Sequence, residues 1–239
     1  MRELFDAERV ARLLAVSEAL LAKYRTLNPI NGAPGAPSST SLFQIHHPGF
    51  FAPGSSELRD ILDAVADPSV LELVRDTCNT RDPMFSHTSI FFNPLEPRPA
   101  ASLGDGLPGS SSCCGEWHRD AQYIHPDEEK EKGLVLRPEA VVGGEMMQIQ
   151  CALLPSRHFE YVRGSHNRWD TPEELQVRKG GPDRENRFSD AMPGAERDLL
   201  NPGDALVFCP WVIHRGHCEW RCAALHAHHN LARRNYDAH

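Results

Sequence analysis

Apolar and polar residues alternate with two different periods along this chain, helical at the start and strand-like later. From Asp6 to Arg25 the apolar positions Val10, Leu13, Leu14, Leu20 and Leu21 recur at helical spacing with charges between them, which predicts an amphipathic helix. Asn28 to Ser41 then breaks the pattern with Pro29, Gly32, Pro34, Gly35 and Pro37, and reads as a loop or strap. Ser55 or Ser56 is placed to cap a helix that buries Leu58, Ile61, Leu62 and Val65. Asp67-Pro68 has the form of an N-cap followed by proline at the first helical position, opening a helix through Val70, Leu71 and Val74.

The period changes after about residue 84. Phe85 to Phe92 is rich in strand formers and stops at Asn93-Pro94, and Arg98 to Ser112 is Gly, Pro and Ser punctuation that reads as a mobile loop. Met146 to Leu154 alternates polar and apolar residues, as a strand with one face turned to a pocket does. Phe159 to Val162, Leu199 to Leu200, Ala205 to Phe208 and Arg221 to Asn230 complete the predicted strands. Thr171 and Glu174 are spaced as a capping box, so a short helix is expected between strands there. Helices first and strands later predict an α+β, mainly β plan, with helices packed on an antiparallel barrel or sandwich.

Composition narrows the picture. The 239 residues are enough for one large domain with a real core, and 40% hydrophobic content gives no sign of disorder. A single domain over 1–239 is expected, helical over about 1–80 and β-rich over about 84–232. Asp and Glu outnumber Lys and Arg, 33 to 25, which disfavours nucleic acid and anionic membranes as partners. No apolar run approaches the roughly 20 residues that span a bilayer, and the acidic start lacks signal-peptide character, so a cytoplasmic protein is expected. The seven cysteines contain no Cys-x-x-Cys pair, which argues for reduced thiols and against a structural zinc site.

The chemistry concentrates at Gly115-Glu116-Trp117-His118-Arg119-Asp120. In an extended segment or turn, residues two apart project to one side, so His118 and Asp120 can offer an imidazole nitrogen and a carboxylate oxygen to one ion. A distant second histidine would complete a facial triad, which leaves three octahedral positions open and suits Fe(II) chemistry with O2. Such a histidine follows Asn201-Pro202-Gly203-Asp204, a turn leading into an apolar strand that is expected to run through Trp211-Val212-Ile213 and end at His214. Arg221 comes seven residues later, on what is expected to be the neighbouring antiparallel strand, where a guanidinium suits bidentate capture of a carboxylate. Arg215 is its rival for that role.

Taken in order, Trp-His-x-Asp, Gly164-Ser165-His166, Gly-Asp before a strand, then His and Arg, the chain resembles the phytanoyl-CoA dioxygenase family over roughly residues 70 to 230. That resemblance implies a double-stranded β-helix (jelly-roll, cupin-like) core. It implies Fe(II) held by His118, Asp120 and His214, with 2-oxoglutarate as co-substrate and its distal carboxylate on Arg221. The implied activity is oxidation, chiefly hydroxylation, of a C–H bond in a small organic molecule, with O2 consumed and succinate and CO2 released. Two features depart from the family. The His214-to-Arg221 interval is short, and Arg163 stands where a proline usually precedes Gly-Ser-His.

Other residues carry weaker signals. Gln148 and Gln150 share one face of a strand and can reach 2-oxoglutarate or substrate, or else face solvent. Trp117 and Trp211 flank the candidate ligands and either wall the site or pack in the core, and Gly164-Ser165-His166 reads as a structural turn. His226, His228 and His229 resemble a metal tract but are explained by a strand alternating its faces. Residues 123–138 and 168–197 suit lids over a barrel mouth. Their arginines Arg168, Arg178, Arg184, Arg187 and Arg197 either serve an anionic substrate or sit in solvated loops. A monomer or homodimer is expected. Two other functions fit the same residues: a cupin-like metalloenzyme that does not use 2-oxoglutarate, and a non-catalytic ligand-binding barrel.

Overall fold

The structure is a computed structural model that describes residues 1–27, 40–43, 51–52, 54–92, 116–120, 146–179, 189–216 and 223–231. The first helix, α1 (Ala7–Leu27), follows its predicted span. Strand β1 (Thr40–Phe43) begins inside the stretch expected to be loop, and residues 28–39 lie outside the described residues. Helix α2 (Ser56–Val65) is capped by Ser55, whose hydroxyl accepts from the Leu58 N–H at 3.3 Å. Helix α3 (Pro68–Cys78) is capped by Asp67, which accepts from the Ser69 N–H at 2.8 Å, with proline at the first turn.

Two antiparallel sheets follow. Strands β2 (Pro83–Phe92), β3 (Met146–Ala152), β6 (Ala205–Phe208) and β8 (Ala223–Leu231) join β1 in a five-stranded sheet of order β1-β2-β8-β3-β6. Strands β4 (Phe159–Val162), β5 (Ala195–Arg197) and β7 (His214–Gly216) make a three-stranded sheet of order β5-β4-β7. Helix α4 (Pro172–Lys179) opens on the predicted capping box. The Glu174 N–H donates to the Thr171 hydroxyl at 3.2 Å, and the Thr171 N–H to the Glu174 carboxylate at 2.8 Å.

The alternation along β3 sorts the two sides of the large sheet. Met147, Ile149 and Cys151 enter the main core with Leu13 and Leu20 of α1, Ile61 of α2 and Val74 of α3, which burial of apolar area holds against the sheet. Gln148 and Gln150 therefore point to the opposite side, away from the helices. Both are buried, so the solvent-facing alternative for them does not hold. His229, on the helix side of β8, is buried and hydrogen-bonded to the Val65 carbonyl at 3.2 Å, as an alternating strand requires.

Three expectations are corrected. The apolar run from Ala205 to His214 is not one strand. It breaks at Cys209–Val212, where the Val212 N–H donates to the Cys209 carbonyl at 3.0 Å, and this turn carries the chain from the five-stranded to the three-stranded sheet. Consequently β7 and β8 are in different sheets and do not pair, so the strand following β7 is not its neighbour; Arg221 itself lies outside the described residues. Leu199–Leu200 forms only a bridge from Leu200 to Ser156, and the strand in that region is β5. The loops expected at 98–112 and 123–138 also lie outside the described residues. Among those described, no helix is long and apolar enough to cross a membrane.

The turn before β6 has the backbone its sequence calls for. Gly203 sits at φ +90°, and a Cβ there would lie 2.3 Å from the Phe5 carbonyl oxygen. Asp204 fastens the same turn, accepting from the N–H groups of Glu3 at 3.0 Å and Asn201 at 2.9 Å. Gly203→Ala should therefore cost at least about 2 kcal/mol, combining positive-φ strain with displacement of the N-terminal segment. Thermal or urea unfolding measures this, and an unchanged midpoint would contradict the clash.

Candidate metal centre

The segment 116–120 is pinned to β7 by backbone pairing. The His118 N–H donates to the His214 carbonyl at 3.0 Å, and the His214 N–H returns a bond to His118 at 2.9 Å. The Asp120 N–H donates to the Pro210 carbonyl at 2.9 Å, within the sheet-switching turn. These bonds bring the two imidazole rings to a centroid separation of 4.3 Å.

Each imidazole is oriented by its own backbone. His118 Nδ1 lies 2.7 Å from the Glu116 carbonyl and His214 Nδ1 lies 2.9 Å from the Val212 carbonyl. A carbonyl only accepts, so each Nδ1 carries a proton, and in the neutral ring Nε2 then presents its lone pair to the site. Asp120 Oδ1 stands 3.3 Å from His118 Nε2 and 3.9 Å from His214 Nε2. Metal–ligand bonds of ~2.1 Å place adjacent donors ~3 Å apart, so both carboxylate–imidazole separations are within about 1 Å of what one ion requires. His118, Asp120 and His214 offer donors that all lie within 4.8 Å of one another. The two nitrogens and one carboxylate oxygen form a donor set that fits Fe(II).

The electrostatics favour a cation. Burial works to raise the Asp120 carboxyl, but the hydrogen bond from His118, the nearby His214 and the Gln148 amide outweigh it and hold the group well below the usual carboxylate range. Burial pushes His214 down to about 4, helped by the neighbouring His118, so it is neutral and ready to ligate at neutral pH. For His118 the surroundings also act to lower the value, but bonds to Asp120 and the Glu116 carbonyl prevail and raise it. Phe159 stacks on the His214 ring at 5.2 Å and 18°, and Phe208 approaches the same ring at 5.3 Å, so aromatic carbon screens this imidazole from water.

Arg119, between the two candidate ligands, faces away from them and is only 5% exposed. It donates to Asp170 through Nε at 3.0 Å and through a terminal nitrogen at 2.7 Å, to the Ser165 carbonyl at 2.7 Å, and to the Trp211 carbonyl. Gly164-Ser165-His166 is thus the structural turn its sequence suggests: Gly164 takes φ +73°, and the Ser165 hydroxyl accepts from the Ile213 N–H at 2.8 Å. No sequence motif announces Arg119, because its partners lie far along the chain.

The remaining candidates separate clearly. Gln148 donates its amide N–H to Asp120 Oδ2, and Gln150 lies on the same face two residues on. Arg215 follows His214 and so turns to the opposite face. It is fully buried, bonded to Glu160 at 2.7 Å and Asp190 at 2.6 Å, and lies 4.5 Å above the Trp117 ring. Trp117 is core, with its indole N–H on the Ser189 carbonyl at 2.8 Å. Arg168 pairs with Glu174, Arg178 with Asp170, and Arg197 lies 3.8 Å from Glu160, so these three have carboxylate partners within the fold. Arg184 and Arg187 lie outside the described residues.

No protein-family model matches the chain, and no curated protein matches its sequence. Its fold does match solved structures. The non-heme alpha-ketoglutarate-dependent epimerase SnoN from nogalamycin biosynthesis aligns with a TM-score of 0.56 and 16% identity over 97% of this chain and 77% of that one. HygX from Streptomyces hygroscopicus, solved with nickel and 2-oxoglutarate bound, aligns at 0.59 and 14% identity over 98% and 82%. EctD from S. alaskensis, with 2-oxoglutarate and 5-hydroxyectoine, aligns at 0.58 and 15% identity over 97% and 71%. At these identities the likeness establishes a shared fold.

Two outcomes follow from the geometry. Arg119→Met leaves Asp170 with Arg178 as its remaining described cation and releases the turns around both histidines, so unfolding should cost roughly 3 kcal/mol less; a change under about 0.5 kcal/mol would contradict the clamp. Metal binding requires neutral imidazoles, and His118 is the one whose proton is held above its ordinary value of 6.5. Co(II) uptake by the metal-free protein should therefore strengthen as pH rises through and beyond that value. Equilibrium titrations at a series of pH values test this, and a flat profile between about pH 6 and 8.5 would count against it.

Proposed function

We propose that this protein is an Fe(II)- and 2-oxoglutarate-dependent dioxygenase that hydroxylates a C–H bond of a small organic molecule. The observation that carries the proposal is the convergence of two carbonyl-oriented imidazoles and one carboxylate oxygen on a single point. The fold supports it, because structures sharing that fold include one with nickel and 2-oxoglutarate bound and one described as an alpha-ketoglutarate-dependent epimerase. The strand orders support a jelly-roll reading: β2-β8-β3-β6 on one side, β5-β4-β7 on the other, with the His118–His214 bridge adding the 116–120 segment beside β7. We take the chain as one domain, with helices over about 1–80 and the core over about 84–232.

In this proposal His118 and His214 bind the metal through Nε2 and Asp120 through Oδ1. Bound Fe(II) with 2-oxoglutarate supplies the O2-activating chemistry, which yields succinate, CO2 and the oxidised C–H bond. The protein's own part is orientation and exclusion of water. The Glu116 and Val212 carbonyls fix the imidazole protons on Nδ1, and Phe159 and Phe208 cover His214. Arg215 is committed to Glu160 and Asp190, which leaves Arg221 as the candidate for the distal carboxylate of 2-oxoglutarate. Gln150, buried on the same face as Gln148, is offered to co-substrate or substrate.

Anaerobic addition of Fe(II) and then 2-oxoglutarate should produce the weak visible charge-transfer band of the chelate. Succinate should form once air and a substrate are admitted. His118→Ala and Asp120→Ala should each abolish the band, whereas Arg221→Ala should weaken 2-oxoglutarate on the order of a hundredfold with little effect on iron. Absence of iron uptake would sink the proposal, and iron uptake without the band would point to a metalloenzyme that does not use 2-oxoglutarate.

A further inference from the structure

Asp120 has two carboxylate oxygens, and the structure treats them differently. Oδ1 faces both imidazoles, 3.3 Å from His118 Nε2 and 3.9 Å from His214 Nε2. Oδ2 accepts the amide N–H of Gln148, a side chain only 1% exposed. The backbone of Gln148 is held from both sides, since β3 pairs with β8, where Gln148 is opposite His228, and with β6, where it is opposite Phe208. Its buried side chain reaches from that position to the carboxylate.

We propose that Gln148 is a positioning residue that occupies Asp120 Oδ2 and so limits Asp120 to one oxygen toward the metal. This rests on the proposed metal centre. A carboxylate can ligate through one oxygen or both. With one, the three protein ligands leave three octahedral positions for other ligands; with both, only two remain. A co-substrate that chelates through two atoms would then fill the sphere and leave no position for a third ligand. A hydrogen bond on Oδ2 prevents that by keeping the second oxygen engaged and turned aside.

The choice of an amide has a physical basis. A charge-assisted bond from N–H to carboxylate is strong enough to fix the rotamer of Asp120. Lysine or arginine would hold Oδ2 as well, but would neutralise the negative charge that draws a cation in. Glutamine donates without cancelling that charge.

The test uses the full chain, freed of metal and titrated with Co(II), whose visible d–d bands report coordination number. Gln148→Met keeps the size without a donor, and Gln148→Asn keeps the amide but shortens its reach. Both should weaken Co(II) binding by roughly ten- to a hundredfold and alter the d–d bands, while the metal-free protein still folds cooperatively with its melting temperature lowered by the loss of one buried bond. A residue that only filled space would leave the Co(II) affinity and the bands alone, whatever happens to the melting temperature. Variants that fold and bind Co(II) with parental affinity and bands would overturn the proposal. So would failure of both variants to fold, since Gln148 would then be a determinant of the fold. If the parent protein takes up no Co(II), it is the metal centre itself that fails; if it does and the variants match it, only the role of Gln148 fails.

Discussion

The candidate centre depends on one reciprocal pair of backbone hydrogen bonds, between His118 and His214. Backbone pairing fixes the separation of two Cα atoms more firmly than side-chain contacts can, because neither partner has rotamers to explore. Once those residues are opposite each other, the choice of side-chain direction is almost made. The carbonyls of Glu116 and Val212, each two residues upstream of the histidine it serves, complete it. Arg119 then holds the outside of the same bridge, tying it to the turns at Ser165 and Trp211. Ligand side and support side are thus built from adjacent residues pointing in opposite directions.

Burial and charge act in opposite senses here, and the balance leaves an ionised carboxylate beside a neutral imidazole, a combination suited to a cation. Asp120 is kept ionised against its partial burial, while His214 is kept neutral by full burial. The carboxylate finds neutral donors and one histidine whose proton it stabilises, with no described lysine or arginine paired to it. A cation bound there would replace that proton, which links affinity to protonation.

Much of this is legible in the sequence where the determinants are local. Ser55, Asp67 and the Thr171–Glu174 pair act on backbone groups within three residues, so their spacing alone identifies the helix starts. Alternation along β3 likewise separates Gln148 and Gln150 from Met147 and Ile149 by its period of two. Hydrophobicity does not reveal the break at Cys209–Val212, because Val207, Phe208, Val212 and Ile213 are apolar on both sides of it. They serve different sheets, and only the tertiary structure says so. Arg119 is opaque for a related reason: a buried arginine and a solvated one are spelled alike, and its burial is decided by Asp170 and by carbonyls far along the chain.

The bridge between His118 and His214 also bears on how the molecule comes into being. Its two halves lie about a hundred residues apart, so the pairing is a non-local contact of the kind that forms late and slowly. Until it forms, the donors are scattered along a chain with no common focus. A ligand that needs all three recognises only the folded state, and its free concentration then adds to thermal stability by mass action. The same bridge that defines a site for chemistry would make the folded population itself respond to the metal supply around it.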